Sequence, residues 1–441
     1  MSSILHRSLS ARLPTAVRGE GLRLTLDTGQ EILDASGGAA VACIGHGNAR
    51  VAAAIGAQAG RMAYAHTGFF SSAPAEELAS MLVGHRPGGL THAFFVSSGS
   101  EAVESALKLA RQYHVERGES RRVHFVARRQ SYHGASFGSL AIGGNLGRRK
   151  PYEDILMPNT SRVSACFPYH EQGAGEADAA YVARLAAELE AEFVRIGPER
   201  VIAFVAETVV GATAGCVSAV PGYFPAVREV CDRHGVLLIL DEIMCGMGRT
   251  GITHAWEREG VTPDIQVIAK GMGGGYVPIG GLLVSGRVID GLSGGSGVFV
   301  HGHTYQAHPV ACAGALEVQR IIAEEGLVAR AAARGTYLAH RLHDVFGEHP
   351  HVGDVRGQGL FLALEFVEDR ATRRPFAPAA RVAERVKHAS LDAGVAVYPS
   401  AGTVDGVVGD HAIIAPPYTV TEAEVDEIVD RFAKALARVF T

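Results

Sequence analysis

Two uninterrupted apolar runs, each stopping on charge, constrain the fold of this chain more than any other feature. Val236-Leu237-Leu238-Ile239-Leu240 ends in Asp241-Glu242. Asp264-Ile265-Gln266-Val267-Ile268-Ala269 ends in Lys270, and Gly271-Met272-Gly273-Gly274-Gly275 follows as a flexible glycine-rich loop. A run without polar alternation needs cover on both faces and belongs in a parallel sheet flanked by helices. In such sheets ligands gather beyond the carboxyl ends of the strands, where Asp241 and Lys270 both fall.

The surrounding pattern agrees. Helical periodicity is expected over 73–84, 101–115, 178–194 and 220–234, with strands over 93–96, 123–126 and 201–206 between them. Alternation of this kind implies α/β architecture with a mostly parallel sheet. Residues 17–36 alternate around Thr28-Gly29 and read as a small antiparallel ribbon. After about residue 305 the pattern becomes helices at 309–325, 327–346, 379–393 and 422–440 with strands interspersed, a smaller α+β unit. The expected organisation is an N-terminal segment over 1–45, packing with the small unit, a large domain over 46–308 that carries both strand ends, and a connector helix with the small domain over 309–441.

Composition excludes several classes. Hydrophobic residues make up 47% of the 441 and charged residues 20%, the balance of an ordinary folded chain with ample core. A net charge of −5 without a dense Lys/Arg stripe argues against nucleic acid. Six scattered cysteines, with no C-x-x-C pair, read as reduced thiols of a cytoplasmic protein. No apolar stretch reaches membrane-spanning length, so no membrane partner is expected.

Asp241 also fits the magnesium-binding strand end of a nucleotide hydrolase, but no G-x-x-x-x-G-K-[ST] loop accompanies it. The bland alternative is a solvated strand-end or cap carboxylate, the less common outcome for such a position. Lys270 is poorly placed for solvent, and partly buried lysines shift their pKa readily enough for Schiff-base chemistry. An amine and an acid on neighbouring strand ends suit an aromatic nitrogen cofactor, the amine bonding its carbonyl and the acid its ring nitrogen, as at a pyridoxal-phosphate site. Val96-Ser97-Ser98-Gly99-Ser100-Glu101, between a short strand and a long helix, offers amides and hydroxyls to a phosphate. Ser98 with Glu101 is also a capping box, and the two roles are compatible. Tyr132-His133-Gly134 follows another strand and could stack on a flat ring. His301, His303 and His308 share one loop with no carboxylate at ligand spacing, so no metal is expected.

Together these residues resemble the class III (ornithine/ω-amino-acid type) aminotransferases of the fold-type I pyridoxal-phosphate superfamily. The likeness runs from Gly21-Leu22-Arg23, Leu33-Asp34 and Gly45-His46-Gly47 through Ser98-Gly99-Ser100-Glu101-Ala102 and Tyr132-His133-Gly134. It continues with Ala206-Glu207-Thr208-Val209, Leu240-Asp241-Glu242, Gly248-Arg249-Thr250-Gly251 and Ala269-Lys270-Gly271. It closes with His303-Thr304-Tyr305, Arg356-Gly357-Gln358-Gly359-Leu360 and Pro416-Pro417-Tyr418. The resemblance implies pyridoxal 5'-phosphate with Lys270 as Schiff-base lysine and proton shuttle, and Asp241 on the ring nitrogen. Ser98, Gly99 and Ser100 would hold the phosphate, Tyr132 would stack on the ring, and Glu207 would sit near the ring hydroxyl. His133 and Met244 would complete the cofactor site, and Thr304 would reach in from the neighbouring subunit of a homodimer.

One departure bears on substrate. Many relatives carry an arginine shortly before the Pro-Pro pair, where it binds the substrate carboxylate. Here no arginine occurs from Val386 to Asp430. A carboxylate normally calls for a bidentate guanidinium. The expected donor is therefore a primary amine, diamine or ω-amino acid, with pyruvate as acceptor. The alternatives are an α-amino-acid or ornithine-type enzyme using 2-oxoglutarate through Arg61 or Arg356, or an aminomutase or decarboxylase on the same fold.

Overall fold

The computed structural model describes residues 3–9 and 13–441. Its centre is a seven-stranded sheet whose strands, numbered along the chain within it, are β1 (Leu90–Val96), β2 (His124–Arg128), β3 (Thr160–Val163), β4 (Val201–Glu207), β5 (Leu237–Asp241), β6 (Ile265–Ile268) and β7 (Gly280–Ser285). Their spatial order is β1-β7-β6-β5-β4-β2-β3. β7 runs antiparallel to β6 and β1, and the other six are mutually parallel.

Alternate residues of the continuous apolar runs feed two separate cores. Leu238 and Leu240 join Phe204 and Ala206 on one face, under helices Ala73–Val83, Asp178–Ile196 and Tyr223–Arg233. Leu237 and Ile239 join Ala203, Val205, Ile265 and Val267 on the other, under helix Gly99–Glu116. Each such side chain is worth roughly 1.5–3 kcal/mol on full burial, which accounts for the absence of alternation in the sequence.

Two strands escape the sequence pattern. β3 is four residues long, and β7 opens on Gly280-Gly281, which reads as a breaker. Those glycines are needed where backbones meet. A Cβ on Gly280 would lie 2.3 Å from the Ser98 carbonyl oxygen, and one on Gly281 would lie 2.7 Å from that of Phe94. The N-terminal ribbon has three strands (Ala16–Glu20, Arg23–Leu26, Glu31–Asp34), and Glu31–Asp34 pairs in parallel with Val395–Ala396. A second, wholly antiparallel sheet of Val352–Gln358, Phe361–Phe366, Asp410–Ile414 and Tyr398–Ala401 packs with helices Leu327–Phe346, Val382–Asp392 and Glu422–Val439. Among the described residues no helix is long and apolar enough to cross a membrane.

Candidate active site

Parallel strands put their carboxyl ends at one edge, and that edge carries the site. Register sets Asp241 beside Glu207 on β4 and beside Val267 on β6, three residues before Lys270. β1 delivers Val96 to Ser97, Ser98 and Gly99, and β2 delivers Arg128 to Tyr132 and His133. The result is a cavity of about 300 Å³ lined by Ser98, Gly99, Ser100, Tyr132, His133, Glu207, Asp241, Met244 and Lys270, all foreseen from the sequence. Thr304 is not among the lining. It is exposed in its own chain, and its carbonyl accepts a hydrogen bond from the Tyr64 hydroxyl at 2.8 Å.

Lys270 closes β6 in a conformation its side chain disfavours, with φ +42°. A left-handed non-glycine residue costs about 1–2 kcal/mol and persists only where its surroundings hold it. Here they do. The segment 271–275, expected to be flexible, is a tight turn in which the Lys270 carbonyl accepts from the amides of Gly273 (3.1 Å) and Gly274 (2.9 Å). Gln319 Nε2 donates to the carbonyls of Gly271 (3.0 Å) and Met272 (2.9 Å). Burial lowers the lysine's pKa against the pull of Asp241 and Glu207, which favours the neutral amine that a nucleophile or base requires.

Asp241 is no solvated strand end: it is 3% exposed. Its Oδ2 shares a hydrogen bond with His133 Nδ1 at 2.8 Å, and its Oδ1 accepts from the Ile243 amide at 3.0 Å. Glu207 accepts from the amides of Tyr132 (2.9 Å) and Gly211 (3.0 Å). Burial raises its pKa, and the Asp241 charge adds to the rise against a lowering by His133. The helix starting at Gly99 is capped by Ser98, whose hydroxyl accepts from the Glu101 amide at 3.2 Å. Glu101 reaches one residue further back than in a standard capping box, to the Ser97 amide at 2.7 Å. The amides that open such a helix have no intrahelical acceptor and suit an anion.

Several contributors were not foreseen. Ile243 and Val209 add apolar wall, and a Cβ on Gly99 would come within 2.8 Å of Ile243 Cδ1, so only glycine leaves that cradle open. Arg128, buried at the end of β2, donates to the Glu207 carbonyl and sits 5.7 Å from the Tyr223 and Phe224 rings. Its signal was the one that exposed Lys270, a charge ending an apolar strand. Glu242 faces away from the cavity and accepts from Thr208, Gln266 and the amides of Ala255 and Trp256 at 2.7–2.9 Å, so it braces the strand end that carries Asp241. Arg356 is not a spare guanidinium. It pairs with Asp354 (2.9 Å) and Glu365 (2.7 Å) and donates to the carbonyls of Ala214 and Gly215. Arg61 ends helix Ala49–Arg61 and does not line the cavity. Of the loop histidines, His301 is engaged by Ser105 (2.9 Å) and Lys108 (3.4 Å). Among the described residues no group of His, Cys, Asp or Glu has metal-site geometry.

An amine, a buried carboxylate, a helix-start anion cradle and apolar walls at one sheet edge suit a pyridoxal-phosphate site. The unpartnered, buried His133 Nε2 and the open Gly99 cradle leave polar and steric room for that cofactor. The sequence profile of the class-III aminotransferases matches residues 7–436, and the chain belongs to that family. It is 49% identical to an uncharacterized aminotransferase of Schizosaccharomyces pombe, over 98% of this chain and 94% of that one. A diaminobutyrate–2-oxoglutarate transaminase of Halomonas elongata is 35% identical (96% and 89% covered), and a putrescine–pyruvate aminotransferase of Pseudomonas aeruginosa 32% (95% and 89%). The solved structure of a pyridoxal-phosphate-bound amine transaminase from an uncultivated Pseudomonas species superimposes with a TM-score of 0.93 at 35% identity, over 99% of both chains. The fold is accordingly that of the fold-type I transaminases, and the cofactor is pyridoxal 5'-phosphate.

Proposed function

We propose that this aminotransferase moves an amino group from a primary amine, diamine or ω-amino acid to a keto acid, with pyruvate as the acceptor. The observation that carries the reading is the charge inventory of the cavity. Its lining holds one lysine, two carboxylates and a histidine paired to one of them, with Val41, Val209, Ala212, Ile243, Met244, Val277, Pro278 and Ile279 forming the rest of the wall beside serines, glycines, Ala269 and Tyr132. Among the described residues no guanidinium lines this cavity, so a donor α-carboxylate would be desolvated without a partner. The pyruvate-using relative is named for a diamine donor, which accords with this reading, and the relative named for 2-oxoglutarate represents the runner-up.

When bound, the cofactor supplies an electron sink and a carrier for the amino group. Lys270 Nζ would hold the cofactor and move the proton at the amine-bearing carbon. Asp241, fixed by His133 and Ile243, would serve the ring nitrogen. The amides of Gly99 and Ser100, with the Ser98 and Ser100 hydroxyls, would hold the phosphate, and Tyr132 and Met244 would bound the ring. Glu207 would stand at the substrate side. Thr304 would enter from the neighbouring subunit, and exposed Phe69, Phe70, Val298, Val300 and Tyr305 are apolar surface suited to such a homodimer interface. We read 46–308 as the cofactor domain and 309–441 as the small domain, with 1–45 packing on the latter. Six free, buried cysteines suit a reducing cytoplasm.

The test is spectroscopic. The holoprotein's visible cofactor band should bleach on adding a primary amine and return with pyruvate. Return with 2-oxoglutarate alone would sink the pyruvate assignment, and return with neither would point to the mutase or decarboxylase.

A further inference from the structure

We propose that Arg148 is the specificity residue that receives the carboxylate of the keto-acid acceptor at the mouth of the active-site cavity. The inference deepens the reading above and rests on it: among the described residues the cavity lining has no guanidinium, yet every α-keto acid brings a carboxylate that must be held.

Other arginines close to the site are anchored on backbone carbonyls or ion pairs, and none of them lines the cavity. Arg128 holds the Glu207 carbonyl, and Arg249, buried, donates to the carbonyls of Leu360 and Pro416 beneath the Tyr418 ring. Arg149 donates to the carbonyls of Leu140, Ala141 and Gly143, and Arg162 donates to those of Ala141 and Gly143. Arg356 is bound into its ion cluster.

Arg148 differs from all of them. It is exposed, its guanidinium carbon lies 4.9 Å from the centroid of the Tyr132 ring, and Tyr132 lines the cavity. Among the described residues no hydrogen bond or ion pair engages its side chain; only its backbone amide is used, donating to Asn145 Oδ1 at 3.1 Å. A guanidinium resting on an aromatic face keeps its N–H donors at its edge, where a planar carboxylate can take two at once.

The surroundings favour that use. Among the described residues Arg148 is the only charged one lining a depression formed with Ala135, Ser136, Phe137, Leu140 and Tyr152, and Ala135 directly follows Gly134 of the cavity in the chain. Apolar walls reduce the screening of a charge pair. Arg149 and Arg162 lie nearby with their donors turned to backbone carbonyls, adding positive potential that would draw an anion towards the mouth. Glu153 exerts its pull on neighbouring Arg149, and among the described residues it forms no ion pair with Arg148.

This arrangement separates the two substrates by charge. An uncarboxylated amine would use the apolar wall and ignore Arg148, and the keto acid would need it. The test uses holoenzyme carrying Arg148→Gln and Arg148→Lys. With a neutral primary monoamine, Arg148→Gln should bleach the cofactor band within about twofold of the parent rate. Its kcat/KM for pyruvate should fall by about 50-fold, mostly through KM, while an uncharged aldehyde acceptor is used as before. Arg148→Lys should recover part of the pyruvate loss, since a point charge remains without the fork. Equal loss with amine, aldehyde and pyruvate would assign Arg148 to holding Tyr132 and overturn the proposal, as would an unchanged KM for pyruvate. Calorimetric binding of pyruvate to parent and Arg148→Gln, where at least a tenfold weakening is expected, decides the matter independently. If no amine bleaches even the parent while this binding contrast persists, the donor reading has failed and the role of Arg148 has not.

Discussion

Replacing Arg356 by methionine tests the ion cluster that joins the second sheet to the active-site loop. The guanidinium bridges Asp354 and Glu365, caps the carbonyls of Ala214 and Gly215, and lies 5.1 Å from the Phe167 ring. The Glu365 side chain is 1% exposed, and its other partner is His170. Burial alone would raise the Glu365 pKa, but Arg356 and His170 reverse the effect and leave it below the usual value. Methionine keeps the apolar stem and removes the charge, which leaves the buried Glu365 carboxylate with His170 as its only charged partner among the described residues. Removing one partner of a buried pair costs about 3–5 kcal/mol. At about 2.1 cal/mol/K per residue, a 441-residue chain has an unfolding entropy near 0.9 kcal/mol/K, so the melting midpoint should drop by about 3–5 °C. The assay is thermal melting of holoenzyme at one fixed scan rate, because chains of this size often unfold irreversibly. The double variant Arg356→Met/Glu365→Gln should recover a third or more of the loss, since no charge is then stranded. A single-variant drop below about 1 °C, or a double variant worse than the single, would refute the reasoning. The Gly215 amide closes its loop onto the Gly211 carbonyl, and the Gly211 amide holds Glu207, so turnover should fall equally for acceptors with and without a carboxylate.

Two further outcomes follow from buried and strained groups. Lys270→Ala and Lys270→Gly should both abolish transamination, but the cofactor-free Gly variant should melt above the Ala variant by about 1 °C, or about 1 kcal/mol, because glycine accepts φ +42° without a Cβ clash; equal midpoints would remove the strain argument. Burial lowers the pKa of His254 to about 4 and of His411 to about 3. With depressed folded values, stability is complete above the unfolded pKa near 6.5 and falls as pH drops from there toward 4, by about 2 kcal/mol per histidine at pH 5. His254→Phe should flatten the melting-versus-pH curve between pH 6.5 and 5, and an unchanged slope would exclude this histidine as a source of acid sensitivity.

Legibility from the sequence followed the length and chemistry of each signal. Lys270 and Asp241 stood out because a charge directly after a doubly covered strand has few structural uses, and the helices at 178–194 and 327–346 because many turns repeat one apolar face. Ile243 was missed because an isoleucine two residues past a strand looks like any other core residue. The turn after Lys270 looked flexible because glycine content signals freedom, whereas Gln319, from a helix nearly fifty residues later, pins it.

By itself, therefore, the sequence determined which residues end the strands, which faces must be covered and which chemistry those residue types suit, all properties of local order and side-chain type. Tertiary structure decided the register that sets Glu207 beside Asp241, the close approach that makes Gly280 necessary, the commitment of Arg356 to an ion cluster, and the placement of Arg148 on Tyr132. Each of these depends on a distance between segments far apart in the chain, and such distances are fixed only when the sheet closes and the helices pack against it.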